Sequence, residues 1–287
     1  MVSIVSVAAE RTDLQPADVE ALSRVVAGWA IVADLALSDL VLWLPTWNDG
    51  GFVAAAHVRP STAATAVPHD ILGAFAARGR YPHLDRAFAA LVAVTVRSPR
   101  EPSVPAGDEA YPILVGGRAV GVVARTWSPA ARVVGRLEEV YLDTADDLLQ
   151  MTVDGRFPAV EVAEDASDLP RVGDGIIRLD EAGVVEFASP NAVSALRRLG
   201  LSEDAVGCSM AGLVHRLTKE IGPVDEGRSL IAAGRIAGRL EVIGNRAQVV
   251  VRGISLWRAD VRIGALLSVR DVTDLRRRER ALIGKDA

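Results

Sequence analysis

Five short apolar runs in the second half of the chain, arranged two and then three, restrict the possible folds more than any other feature. GIIRLD at 175–180 and VVEFA at 184–188 flank the turn DEAG and predict a hairpin. Ser189-Pro190-Asn191 opens a short helix, and a stretch of short helices runs to about residue 234. Strands are then predicted at 236–243, 247–257 and 261–270, with Gly244-Asn245 as the first turn. Two strands, helices and three strands describe an antiparallel sheet with helices on one face.

The first half predicts a similar architecture with a different order. Pro16 opens an amphipathic helix over 16–37, whose apolar stripe is Val19, Leu22, Val26, Trp29, Ala33 and Leu37. LVLWL at 40–44, a turn at Asn48-Asp49-Gly50-Gly51 and FVAAAHV at 52–58 predict a hairpin. Residues 59–110 carry little periodicity; helical pieces are expected near 70–78 and 84–92, and a loop over SPREPSVPAGDE. YPILV, Gly116-Gly117 and RAVGVVARTW predict a second hairpin, followed by a helix over 130–152. The fold class is α+β in two domains, each a central antiparallel sheet flanked by helices: 1–152, a Pro-containing acidic linker at 153–172, 173–273, and a helix from 274 to 287.

Composition excludes several function classes. A net charge of -5 gives no general attraction to nucleic acid, whose binding is dominated by cationic contacts to phosphate. A single cysteine, Cys208, permits no intrachain disulfide and suits a reducing cytoplasm. The most apolar stretch, residues 29–45, is interrupted by Asp34 and Asp39 and closed by Pro45. Each aspartate would cost about 2.5–3.5 kcal/mol at a bilayer centre, so no membrane span is expected.

SVRDVTDLRRRERALIGKDA at 268–287 runs from an apolar strand into a basic helix. We read it as the exit of a sensory region from its output domain. Val272, Leu275 and Leu282 fall at spacings of three and seven and suit a short dimeric coiled coil, although Glu279 occupies a position where another apolar residue would be expected. The arginines then form a solvated face, and a homodimer is the expected assembly.

Several motifs tie the second half to a known family. Gly175-Ile176 at the first strand, Asp180 and Gly183 at its turn, Asn191-Ala192 at the first helix, Gly207, and the closing Asp271-Val272-Thr273 resemble a PAS domain. The first half resembles a GAF domain. The whole chain is similar to the sensor region of soluble actinobacterial two-component histidine kinases of the PdtaS type, chiefly over GDGIIRLDEAGVVEFASPNAVSA and RDVTDLRRRERALIGKDA. That resemblance implies a kinase core beyond the sensor region, which uses ATP and Mg, phosphorylates its own histidine and passes the phosphoryl group to a response regulator, an RNA-binding antiterminator. It implies that Asp271 and Thr273 couple the last strand to the outgoing helix, the Asp pairing with an arginine and the Thr hydroxyl bonding local backbone; capping of the helix is the plainer and compatible role.

None of the four histidines, His57, His69, His83 and His215, begins a phosphoacceptor motif, so no catalytic residue and no kinase activity are expected in residues 1–287. No metal site or cofactor is expected here either. His215 is read as structural or exposed instead of a haem ligand, and Cys208 as a buried inert thiol, because GCSM does not match a flavin photoreceptor motif. The pairs Glu138-Glu139 and Asp146-Asp147 are read as a solvated helix face. A small-molecule ligand in the first domain and a scaffolding role remain open alternatives, as do another output (cyclase, phosphatase or transcription regulator) and a cofactor-binding PAS protein.

Overall fold

In the computed structural model, the chain divides into two compact units, Met1–Leu169 and Pro170–Ala287. The structure describes residues 3–97, 107–127, 135–157, 170–218, 226–244 and 246–283. Most of the expected linker, 158–169, and most of the loop expected at 98–109 lie outside these residues.

The first unit opens with helices α1 (Ile4–Arg11), α2 (Pro16–Ala27) and α3 (Trp29–Ala36). The single helix expected over 16–37 is therefore two helices broken at Gly28, the C-cap of α2. Every residue of α3 except Ala30 is buried, and Leu37 ends it at φ 51°. Strands β1 (Asp39–Pro45), β2 (Gly51–Val58), β3 (Phe75–Ala77), β4 (Val94–Arg97), β5 (Gly107–Val115) and β6 (Arg118–Trp127) form one antiparallel sheet in the order β3-β2-β1-β6-β5-β4. Helix α4 (Pro82–Ala90) overlaps the expected 84–92 helix but begins and ends two residues earlier, and α5 (Arg136–Val153) closes the unit. The segment expected to be helical at 70–78 instead contains β3, which pairs Phe75 with Val53 and Ala77 with Gly51. Sheet pairing overrides the helical propensity of its alanines there.

Central strand β1 is buried on both faces, with alternate side chains pointing opposite ways. Val41 and Trp43 join Phe52, Leu84 and Ala87 in a core between the sheet and α4. Leu42 faces the other way: both it and Leu22 of α2 stand within 3.4 Å of where a side chain at Gly121 would begin.

The second unit begins with a 3-10 turn at Val172–Asp174 and contains β7 (Ile176–Leu179), β8 (Val185–Ala188), α6 (Pro190–Leu199), α7 (Met210–Leu217), α8 (Glu226–Ala232), β9 (Gly238–Ile243), β10 (Gln248–Arg258), β11 (Val261–Asp271) and α9 (Thr273–Ile283). Its antiparallel sheet runs β8-β7-β11-β10-β9. Ile177, Leu179, Val249, Val251, Ala265, Leu267 and Val269 pack with Ala192, Leu196 and Leu199 of α6 in one core.

The family landmarks have local physical reasons. Asp180 Oδ1 accepts from the backbone N–H groups of Ala182 and Val184, each at 2.8 Å, and Gly183 takes φ 85° in that turn. Asn191 donates its side-chain amide to the Gly173 carbonyl at 3.1 Å. Gly175 has φ 96°, and a β-carbon there would lie 2.6 Å from the Ala192 nitrogen. Among the described residues, no helix is long and apolar enough to cross a membrane.

Candidate functional site

The exit of the second sheet is a polar junction assembled from the entry turn, β9, β10, β11, α6 and α9. β10 and β11 pair along their full length, which sets Gln248 of β10 beside the end of β11. There the Gln248 N–H donates to Thr273 Oγ1 at 2.9 Å, and the Gln248 carbonyl accepts from the Val272 N–H at 2.9 Å. Asp271 Oδ1 accepts from the Thr273 hydroxyl at 2.5 Å and from its N–H at 2.9 Å, so the carboxylate caps the first turn of α9. The other carboxylate oxygen, Oδ2, lies 2.5 Å from Arg198 Nη1 on α6, an ion pair without hydrogen-bonding angles. Asp271 thus pairs with an arginine, while the Thr273 hydroxyl meets the backbone of Gln248 on the neighbouring strand in place of the expected local backbone, and the contacts that cap α9 also tie it to the strands.

The junction extends further, to edge strand β9 and to the entry turn. Glu241 of β9 accepts from the Gln248 side-chain amide at 2.6 Å and faces Arg276 Nε of α9 at 3.4 Å. Beside it, Arg270 grips Asp174 with two hydrogen bonds of 2.8 and 2.7 Å, tying the last strand to the turn where the unit begins. Entry turn, central strands, α6 and exit helix therefore meet within a few residues. Sequence reasoning missed Arg198, Gln248, Glu241 and Arg276, since only the fold brings them to Asp271.

Two of the three residues expected on an apolar seam, Val272 and Leu275, separate. Val272 is only 6% exposed and belongs to the interior of its own unit, whereas Leu275 is 56% exposed on α9. Val272 precedes the helix and its side chain turns inward, which removes it from an exposed stripe. Leu282 falls within α9, but its side chain lies outside the described residues.

A second candidate lies in the first unit. Trp43, Tyr81, His83, Leu84, Asp108 and Thr126 help line a cavity of about 390 Å³ beneath α4, a size suited to a small ligand. Tyr81 stands 5.7 Å from Trp43 and 6.0 Å from His83 between ring centroids, and the Arg80 guanidinium lies 5.7 Å from the Tyr81 ring. Thr126 donates its hydroxyl to Asp108 at 2.9 Å. Burial pushes the His83 imidazole below its ordinary value, outweighing the opposing pull of Asp108 and Asp85. The cavity therefore offers aromatic faces, a neutral imidazole and a carboxylate together. His83 was visible in sequence only as one of four histidines.

Other singled-out residues take plainer positions. His215 is exposed on α7. Cys208 is partly buried against the core, less deeply than expected. Asp147 of α5 is buried, which corrects the expected solvated face, and Asp146 pairs with the buried Arg125 at 2.6 Å. Glu109 of β5 supplies the second carboxylate on Arg125 at 3.1 Å, and buried Asp147 with the Asp146–Arg125 pair shows the acidic face of α5 partly turned to the sheet. His57 Nε2 lies 2.8 Å from Asp39, which also accepts from the Thr65 hydroxyl and the Ala66 N–H at 2.6 Å each. Burial alone would raise the Asp39 carboxyl, but these hydrogen bonds outweigh it and hold it below the usual range.

The comparisons agree with this architecture. Residues 4–145 match the family described as the histidine kinase PdtaS GAF domain. The chain is 35% identical to the sensor histidine kinase PdtaS of Mycolicibacterium smegmatis and 37% identical to that of Mycobacterium tuberculosis, over 97% of its own length in each case. It spans 57% and 58% of those relatives' lengths. A solved sensor region of a sensor histidine kinase superposes with a TM-score of 0.82 at 32% identity, covering 96% of this chain and all of that one. With the GAF match over its first unit and the sensor-region likeness across both, the chain belongs to the PdtaS-type family of sensor-histidine-kinase sensor regions.

Proposed function

We propose that this chain receives a signal for a two-component kinase core and passes it on through α9. The carrying observation is the Asp271–Thr273 junction, where one carboxylate holds the exit helix through Thr273 and α6 through Arg198. A change in the sheet or α6 cannot leave that carboxylate's position unaffected, so α9 would tilt or rotate with it. A ligand stabilising one of two arrangements would shift their populations by its difference in affinity. The first-unit cavity, with Tyr81, His83 and Asp108, is the place where a small molecule would enter.

In the full-length protein, the core would use ATP and Mg to phosphorylate its own histidine, then transfer the phosphoryl group to a response regulator. An RNA-binding antiterminator is the partner proposed on family grounds, with a cytoplasmic homodimer as the working assembly. Exposed Leu275 supports a seam on α9, narrower than one that included Val272.

The test joins residues 1–287 to the kinase half of the Mycolicibacterium smegmatis relative and follows phosphate incorporation from labelled ATP. The chimera should label, and residues 1–287 alone should not. Labelling of the isolated chain overturns the division between sensor and kinase.

A further inference from the structure

We propose that an open cavity on the outer face of α6 binds a phosphate-bearing small anion, which competes with Asp271 for Arg198. The cavity measures about 780 Å³ and is lined in part by Pro190, Val193, Ser194, Arg197, Arg198 and Arg246. Five of these lie on α6 at offsets of three, four, seven and eight from Pro190, so helical geometry places them along one face. Arg246 comes from a different element, the β9–β10 turn. Three guanidinium groups thus converge on one hollow whose lining contains no acidic residue, in a chain whose net charge is -5.

Helix stabilisation accounts for only part of this arrangement. Arg197 and Arg198 in the last turn of α6 complement its dipole, but Arg246 has no such role. Among the described residues, neither Arg197 nor Arg246 has an acidic partner, while Arg198 reaches out of the group to Asp271 at 2.5 Å. Planar guanidinium forks match phosphate oxygens in pairs, which favours a phosphate group over a single carboxylate. The Ser194 hydroxyl adds a donor, and Pro190 with Val193 provides an apolar wall suited to a nucleobase.

Arg198 gives the cavity a route to the output. Only partly buried, its side chain has the freedom to turn toward an anion beside Arg197 and Arg246, loosening the tie between α6 and the carboxylate that caps α9. This coupling rests on the proposed role of the Asp271 junction; binding itself does not.

Titration calorimetry on residues 1–287 at low salt, with inorganic pyrophosphate and separately with ADP, tests both parts. Saturable binding is expected. Tighter binding of ADP identifies a nucleotide site using the apolar wall, and equal or tighter binding of pyrophosphate identifies an inorganic anion site. The exposed pair Arg197→Ala with Arg246→Ala should weaken binding by at least about tenfold, given the usual strength of charge-assisted hydrogen bonds. Asp271→Asn should strengthen it by about threefold by releasing Arg198. No saturable binding of either probe, or an unchanged affinity in the double variant, overturns the site. Binding that is lost in the double variant yet unmoved by Asp271→Asn leaves the site standing and overturns its coupling to the junction.

Discussion

Single side chains set the chemistry of both candidate sites. Burial holds His83 below its ordinary value, so the unfolded chain takes up that proton more readily than the folded one. Its contribution to stability is therefore full above the unfolded value of about 6.5 and declines as pH falls toward the lower folded value. Melting temperatures between pH 7.5 and 5.5 should fall less steeply in His83→Gln than in the parent; parallel slopes would show that His83 does not titrate there. Asp39 makes a second demand. Its carboxylate is fully buried and accepts three hydrogen bonds, so Asp39→Ala should destabilise the first unit by about 3 kcal/mol in chemical denaturation. Asp271 and Thr273 were legible because adjacent residues carry the motif. Arg198 and Glu241 were not, because they reach the junction through long-range strand and helix packing.

Among the elements, those with strong alternation and glycine turns were readable, including β1, β2, β5, β6 and the five strands of the second unit. Local pattern failed where pairing decided the outcome. Phe75–Ala77 is a strand because β2 offers an edge, and Gly28 breaks a pattern whose apolar period runs through it unchanged. Burial also corrected the exit helix. Val272→Ala should cost about 2 kcal/mol in thermal denaturation because it removes buried methyl groups, whereas Leu275→Ala should leave the melting temperature unchanged. Sedimentation should show weaker self-association for Leu275→Ala if α9 forms the seam. A large stability loss from Leu275→Ala, with association intact, would contradict that assignment.

At the scale of the whole molecule, two antiparallel sheets with helices were anticipated from the order of apolar runs, since few layer arrangements bury such a pattern. The family likeness across 97% of the chain explains why the terminal motif was informative, while the first-unit cavity was illegible because its lining comes from well-separated segments. Transmission through α9 requires the Asp271 junction to govern output and not merely to hold the second unit together. The direct measurement is the autophosphorylation rate of the chimera carrying Asp271→Ala or Thr273→Val, with each variant's melting temperature determined in parallel. The rate should change by about threefold or more at temperatures where each variant remains folded. Rates equal to the parent in both folded variants would contradict transmission through this junction.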